Sequence, residues 1–344
     1  MKILLAGLGS IGQRHARNLR ATLGDDVELL AYRVRGLRHV ITAGMQIEPG
    51  DVEARYGLTT FTNLDEALAA RPDAVFVTNP NSLHMTVALA AAKAGCHLFI
   101  ETPLSHDLEG VEELIAEIDR RKLVCVVGYQ WRFHPALTLV QCRLKANTIG
   151  SLVAARLQFG EHLPGWHPYE DYRQMPVSRR DLGGGVIRAQ THDLDYAYAL
   201  FGLPRRISAM GGHLSRLDVD VEDVASILME CAAGDRVFPV HLHQDCVRRP
   251  PTRSCEVIGD DGTIRLDLQA QTVEICDGAG RLVESHSFDR HERNQLFLDE
   301  LNHFLACLRG EAQPVVGVRD AAMSLRMALA ALESMETGRV VPLA

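Results

Sequence analysis

Two stretches of this 344-residue chain carry side chains of a type and spacing that can do chemistry. The first is a glycine turn, "KILLAGLGSIGQRHARNL", with Gly7, Gly9 and Gly12 between an apolar run and a helical one. Gly7 permits the tight turn, Gly9 lets a pyrophosphate approach the backbone, and Gly12 lets the helix pack on the strand. Free N–H groups at the start of that helix, at Ser10 and Ile11, are expected to receive the anion. A lone G-x-G-x-x-G is a weak signal, but one that follows a strand, opens a helix and begins a βαβ series predicts dinucleotide binding. The second stretch is "DLGGGVIRAQTHDLD", with His192 near its end. A histidine titrates near neutrality and can exchange a hydroxyl proton as hydride moves, the need of an alcohol/ketone interconversion. Taken alone, such a residue is better read as a core imidazole satisfied by the backbone. His241 and His243 in "HLHQD" share one face of a strand, a spacing that can bind metal, but no third ligand is evident. They are read as sheet-face residues, and no metal is expected. The carboxylates of "DVDVED" (218–223) are read as a solvated loop.

The elements that must hold these groups follow two rhythms. Up to about residue 125, short apolar runs ("KILLAG", "VELLAY", "AVFVTN", "HLFIET", "LVCVVG") alternate with helical segments, implying a parallel sheet covered on both faces. After residue 150, strand-like runs joined by tight turns such as "GDDGT" imply a mostly antiparallel sheet, and the tail returns to helical period and packs back on the body. The expected architecture is α/β: a dinucleotide-binding domain over 1–125 and a second α/β domain over 126–344.

The second strand bears on which dinucleotide is bound. An acidic residue roughly 20 positions past the last glycine would grip the ribose 2′-hydroxyl of NAD. That neighbourhood reads Tyr32, Arg33, Val34, Arg35, with Arg38 beyond. A guanidinium there can pair with a 2′-phosphate, so NADP(H) is expected over NAD(H).

Composition sets outer bounds. With 47% hydrophobic and 23% charged residues the chain is of the soluble globular class, and its net charge of −8 argues against non-specific nucleic-acid binding. No apolar run reaches the length of a membrane span. Eight scattered cysteines without a CxxC pair read as reduced thiols, and a cytoplasmic location is expected.

With these pieces in place the chain resembles the Gfo/Idh/MocA oxidoreductases, the glucose–fructose oxidoreductase and inositol dehydrogenase family. The carriers are "GLGSIGQRHARNL", "VTNPNSLHMTVALAAAKAGCHLFIETPLS", "GYQWRFHPAL" and "DLGGGVIRAQTHDLDYAYALFG", in that order over nearly the whole length. The resemblance implies a Rossmann domain, a second domain whose open sheet joins a homodimer or homotetramer, and hydride transfer between a nicotinamide and a sugar or polyol carbon. It implies that Asn79, Pro80, Asn81 and His84 lie along the cofactor with Glu101. Its Glu-Lys-Pro motif here reads Glu101-Thr102-Pro103, so Thr102 falls where the family has its catalytic lysine. In the last motif His192 and Asp195 match, whereas the first Asp falls on Arg188. Arg188 is then expected to grip a carboxylate or phosphate of an acidic or nucleotide-linked sugar, with His192, helped by Tyr172, handling the proton. Trp166, Tyr172, Arg173, Arg132 and Asp195 are the expected substrate contacts. The alternative is a nicotinamide-binding sensor or regulatory protein that has lost turnover.

Overall fold

The computed structural model describes residues 1–34 and 39–343. A six-stranded, wholly parallel sheet runs in spatial order Leu58–Phe61, Glu28–Tyr32, Lys2–Ala6, Ala74–Val77, His97–Ile100, Cys125–Val127. Its central strands are buried throughout, which is why they read as continuous apolar runs and not as alternations. The order reverses between Lys2–Ala6 and Ala74–Val77, so a crevice opens beyond their carboxyl ends, where the glycine turn and the Asn79-Pro80 turn lie.

The second sheet has nine strands. Most pairs are antiparallel, and Leu152–Gly160 runs parallel to Arg236–Asp245. One face buries Leu157, Ile227, Val240 and Val257 against the helix Thr191–Phe201 and its neighbours. The opposite face carries Arg156, Gln158, His241 and Glu256.

The two domains share their last helices. Arg293–Leu308 buries Leu301, Phe304 and Leu305 with Ile3, Phe76 and Phe99 on one face of the parallel sheet. Val318–Thr337 places its first half, Val318 to Leu325, with Val75, Ile100 and Val127 on the other face. Its second half, through Met327 and Ala331, enters the core of the second domain. A division of the chain at residue 125 is therefore crossed by packing: the helical cover of the Rossmann sheet is completed from beyond residue 292. Periodicity located this tail as helical, but which faces it covers depends on contacts far apart in sequence.

Phe304 stands edge-on to the stacked pair Phe76 and Phe99, at 5.4 and 5.7 Å between ring centres. Truncation to alanine leaves a cavity that this rigid packing cannot close. Phe304→Ala is expected to lower unfolding free energy by about 3–5 kcal/mol, read from the urea midpoint at unchanged m-value.

Candidate active site

The glycine turn is built as its composition requires. Gly7 has φ +118°, and a Cβ there would lie 2.8 Å from the Thr78 carbonyl oxygen. Its N–H donates to the Tyr32 carbonyl, and the Thr78 hydroxyl donates to its carbonyl at 2.8 Å. A Cβ on Gly12 would strike the Gly7 carbonyl oxygen. Above Gly9 there is nothing within 4 Å of where a Cβ would stand. The helix Ser10–Leu23 starts at Gly9 without a side-chain cap and without an acidic residue in its first turn. An open approach over uncapped N–H groups fits a dinucleotide diphosphate.

Just after the second strand stands Arg33, its Nη1 2.6 Å from Glu53 Oε1. Spacing along the second strand did not show this carboxylate, because Glu53 arrives from the separate helix Val52–Tyr56. Tyr32 ends the same strand and packs partly buried on the Rossmann core. Arg35 and Arg38 lie outside the described residues.

Beyond the carboxyl ends of the strands Ala74–Val77 and His97–Ile100 two turns pack on one imidazole. His84, 1% exposed, sets Nδ1 2.8 Å from the Pro103 carbonyl oxygen and Nε2 2.8 Å from that of Asn79. Burial pushes the imidazole below its ordinary pKa, although both carbonyls oppose this. The ring is buried between the Asn79 and Pro103 turns, and, being neutral, it donates its single N–H to one of these carbonyls while the other nitrogen only faces the second. Asn81 donates to the Gly183 carbonyl at 3.3 Å, tying the Rossmann turn to the second domain. Glu101 sets Oε1 2.6 Å from Nε2 of His15, a buried ring edge-on to Phe76 and Phe99. His15 went unnoticed in the sequence, although its place three residues after Gly12 puts it on the helix face that meets the sheet.

Thr102 and His192 meet across the domain junction, Oγ1 to Nε2, at 3.4 Å. The His192 ring stands edge-on to Tyr129, and its Nδ1 is buried without a hydrogen-bond partner. Burial pushes its pKa down to about 3, and Arg253 and Arg293 add to the shift. The ring forms part of the wall of a cavity of about 350 Å³, with Trp131, Phe159, Trp166, Arg253 and Arg293.

Among the expected substrate contacts, Trp166 lines this cavity and the others are engaged elsewhere. Arg132 donates through Nε and Nη2 to Asp195 at 2.6 and 3.0 Å, and Asp195 also accepts from Ser324. This buried pair anchors the helix that carries His192. Burial raises the Asp195 carboxyl, and the guanidinium beside it opposes the rise. The Tyr172 hydroxyl accepts from the Asp218 N–H, and Arg173 is an exposed partner of Asp171. Arg188 donates to the His106 carbonyl at 3.0 Å and lines a different cavity, with Arg180, His213 and Glu222. The structure thus brings Thr102 against His192 and puts His192 and Trp166 on one cavity wall, and it leaves Arg188 aside. Its four-residue spacing from His192 does not put it on the same wall, because the chain leaves helical geometry at Gln190 (φ −116°, ψ 36°) between two helices.

Arg253 and Arg293 were missed by sequence reading. Arg253 interrupts an alternating strand as a buried cation, a detectable signal; Arg293 opens a C-terminal helix remote from every motif.

The comparisons with known proteins agree with this geometry. Residues 1–129 match the model of an oxidoreductase family with an NAD-binding Rossmann fold, and residues 138–265 match the GFO/IDH/MocA C-terminal domain. The chain is 26% identical to scyllo-inositol 2-dehydrogenase (NAD(+)) of Bacillus subtilis, covering 100% of this chain and 96% of that protein. It is 28% identical to UDP-N-acetylglucosamine 3-dehydrogenase of Acidithiobacillus ferrooxidans, covering 89% and 88%. The WlbA dehydrogenase of Bordetella pertussis, solved with NADH and UDP-GlcNAcA, superposes with a TM-score of 0.80 at 22% identity over 100% and 99% of the two chains.

Buried imidazoles, His134 and His192 together with His84, make stability pH-dependent. His134 caps the helix Pro135–Lys145 by accepting from the Ala136 N–H, and burial lowers its pKa to about 4, as it lowers that of His192 to about 3. The unfolded chain takes up these protons near an ordinary 6.5, so stability present above that pH is lost as pH falls toward the folded values. The urea midpoint is expected to drop between about pH 7 and 5, and His134→Asn, which keeps a capping oxygen, to make the drop smaller. An unchanged slope would assign the acid sensitivity to other groups. The glycine turn, the paired domains and the Thr102–His192 junction converge on one assignment: the chain belongs to the Gfo/Idh/MocA oxidoreductase family.

Proposed function

We propose that this protein is a nicotinamide-dependent dehydrogenase that moves hydride between the coenzyme and a sugar or sugar-derivative carbon, with His192 exchanging the hydroxyl proton. The bound coenzyme supplies the hydride donor or acceptor. Gly9, Ser10 and Ile11 offer backbone to its diphosphate, and Asn81 and Glu101 frame its reactive end. The observation that carries the reading is His192 on the wall of a cavity, facing Thr102 across the domain junction. Burial and the two neighbouring guanidinium groups leave the ring neutral but a weak base, so its proton exchange requires that the bound ligands raise its pKa toward neutrality. Trp166 and Phe159 offer apolar faces to a sugar ring. The relatives named for dehydrogenation of inositol and of a nucleotide sugar support this substrate class.

One observation favours a sensor without turnover: Thr102 supplies a hydroxyl and no cation beside His192. For the coenzyme, NADP(H) is supported by the cation at the end of the second strand, where Tyr32, Arg33 and Val34 include no carboxylate. Glu53 competes for that cation, and the relatives' names point to NAD. The outer face of the nine-stranded sheet is the surface we assign to a homodimer or homotetramer, and the free cysteines support a cytoplasmic location.

His192→Asn is expected to lower kcat by roughly 10²–10⁴-fold in an NAD(P)H-linked assay while coenzyme affinity holds. Coenzyme binding with no turnover of any sugar or polyol by the wild-type protein, and turnover gained on Thr102→Lys, would establish the sensor instead. On the coenzyme, Glu53→Gln is expected to raise the NADPH:NADH ratio of kcat/KM and Arg33→Asp to invert it. A wild-type ratio favouring NADH, unmoved by Glu53→Gln, would refute the NADP(H) assignment.

A further inference from the structure

The charges acting on His192 are both guanidinium groups, although the chain as a whole is acidic. Arg253 is held flat between Trp131 and Phe159, at 4.9 and 4.6 Å from the ring centres. Its Nη2 bonds the Gln190 side chain, and its Nε faces Asp193 at 3.4 Å. Among the described residues its Nη1 has no hydrogen-bond partner. Arg293 lines the same cavity from the first turn of its helix, and among the described residues it has no ion pair or hydrogen bond. The cavity wall also includes the carboxylate of Glu161, which acts on Cys246 and is not among the charges that shift His192.

Unpartnered polar atoms belong to residues that line the same space. Nε1 of Trp131 and of Trp166, Nε2 of His291 and Nδ1 of His192 are all buried and unbonded, and all four residues line this cavity. Buried donors without partners cost free energy unless a ligand satisfies them. Imidazole and indole nitrogens suit ring hydroxyls, whereas two guanidinium edges suit an oxyanion. The volume, about 350 Å³, lies at the lower end of the roughly 300–1,000 Å³ typical of small-molecule sites. It matches one sugar ring with one anionic group.

Resting on the dehydrogenase reading above, we propose that the substrate is an anionic monosaccharide derivative, carboxylated or phosphorylated. Its anion is held by the free edge of Arg253 and by Arg293, while a ring hydroxyl faces His192. The anion-binding role expected of Arg188 thus passes to residues on the wall that His192 shares.

The test is calorimetric binding of D-glucuronate, D-glucose 6-phosphate and D-glucose, with their galacto epimers, to the NADPH-loaded full-length protein. At least one anion is expected to bind tenfold or more tightly than its neutral counterpart, and the better of the two tells carboxylate from phosphate. Arg293 is exposed, so its replacement leaves the fold intact. Arg293→Gln is expected to cut the anionic-to-neutral preference to about threefold or less, and Arg293→Lys to restore part of it. Equal affinity for neutral and anionic sugars, or a preference unchanged in Arg293→Gln, overturns the proposal. So does a loss in Arg293→Gln of NADPH affinity alone, which would assign the cation to the coenzyme diphosphate. Turnover is read separately. Anion-selective binding without hydride transfer sinks the dehydrogenase reading alone, whereas turnover of neutral sugars without anion preference sinks this inference alone.

Discussion

The buried pair of Arg132 and Asp195 is the contact on which the site's geometry depends. Arg132 stands on the turn after the last Rossmann strand, and Asp195 lies three residues beyond His192 on the same helix. Ser324, which completes the cluster, comes from the helix that spans both domains. Three segments distant in sequence are thus held at one point by a bidentate ion pair and a hydroxyl. Burying such a pair contributes little net stability, but removing one partner strands a charge at a cost of about 3–5 kcal/mol. Its value here is positional. With that helix fixed, the His192 ring has one place to go, at the edge of Thr102.

Positioning recurs at the other polar residues of the cleft. His84 is packed between two turns and gives its N–H to one of their carbonyls, Asn81 reaches a carbonyl of the second domain, and Glu101 leans on His15. These residues sit at motif positions, yet their bonds go to the protein and not into open space. Groups with unspent hydrogen-bonding capacity lie one layer further out, on the cavity wall. A motif therefore marks where the scaffold must be rigid as often as where it touches a ligand.

Arg188 illustrates how this reading can mislead. Residues four apart share a face only while the helix continues, and the break at Gln190 turns Arg188 toward His106 and a separate cavity. Arg33 shows the converse. Tyr32 and Val34 beside it are not acids, yet Glu53 meets its guanidinium from a separate helix. For Arg33 the deciding geometry lies outside the local window, whereas for Arg188 it is a local backbone break that residue spacing does not report.

The chain alone determined what depends on local periodicity and backbone chemistry. Continuous apolar strands alternating with helices specify a parallel sheet, and three glycines at fixed offsets specify a turn that only residues without a Cβ can make. The same patterns, with the motif order, carried the family. Only the tertiary structure decided which cations line the cavity beside His192, which motif residues bond within the scaffold, and how the last helices cover both domains. Those outcomes depend on contacts between segments up to some 280 residues apart, as between Arg14 and Asn294. Side-chain pairing across such distances leaves no period in the sequence, because it is selected by packing in space and not by order along the chain.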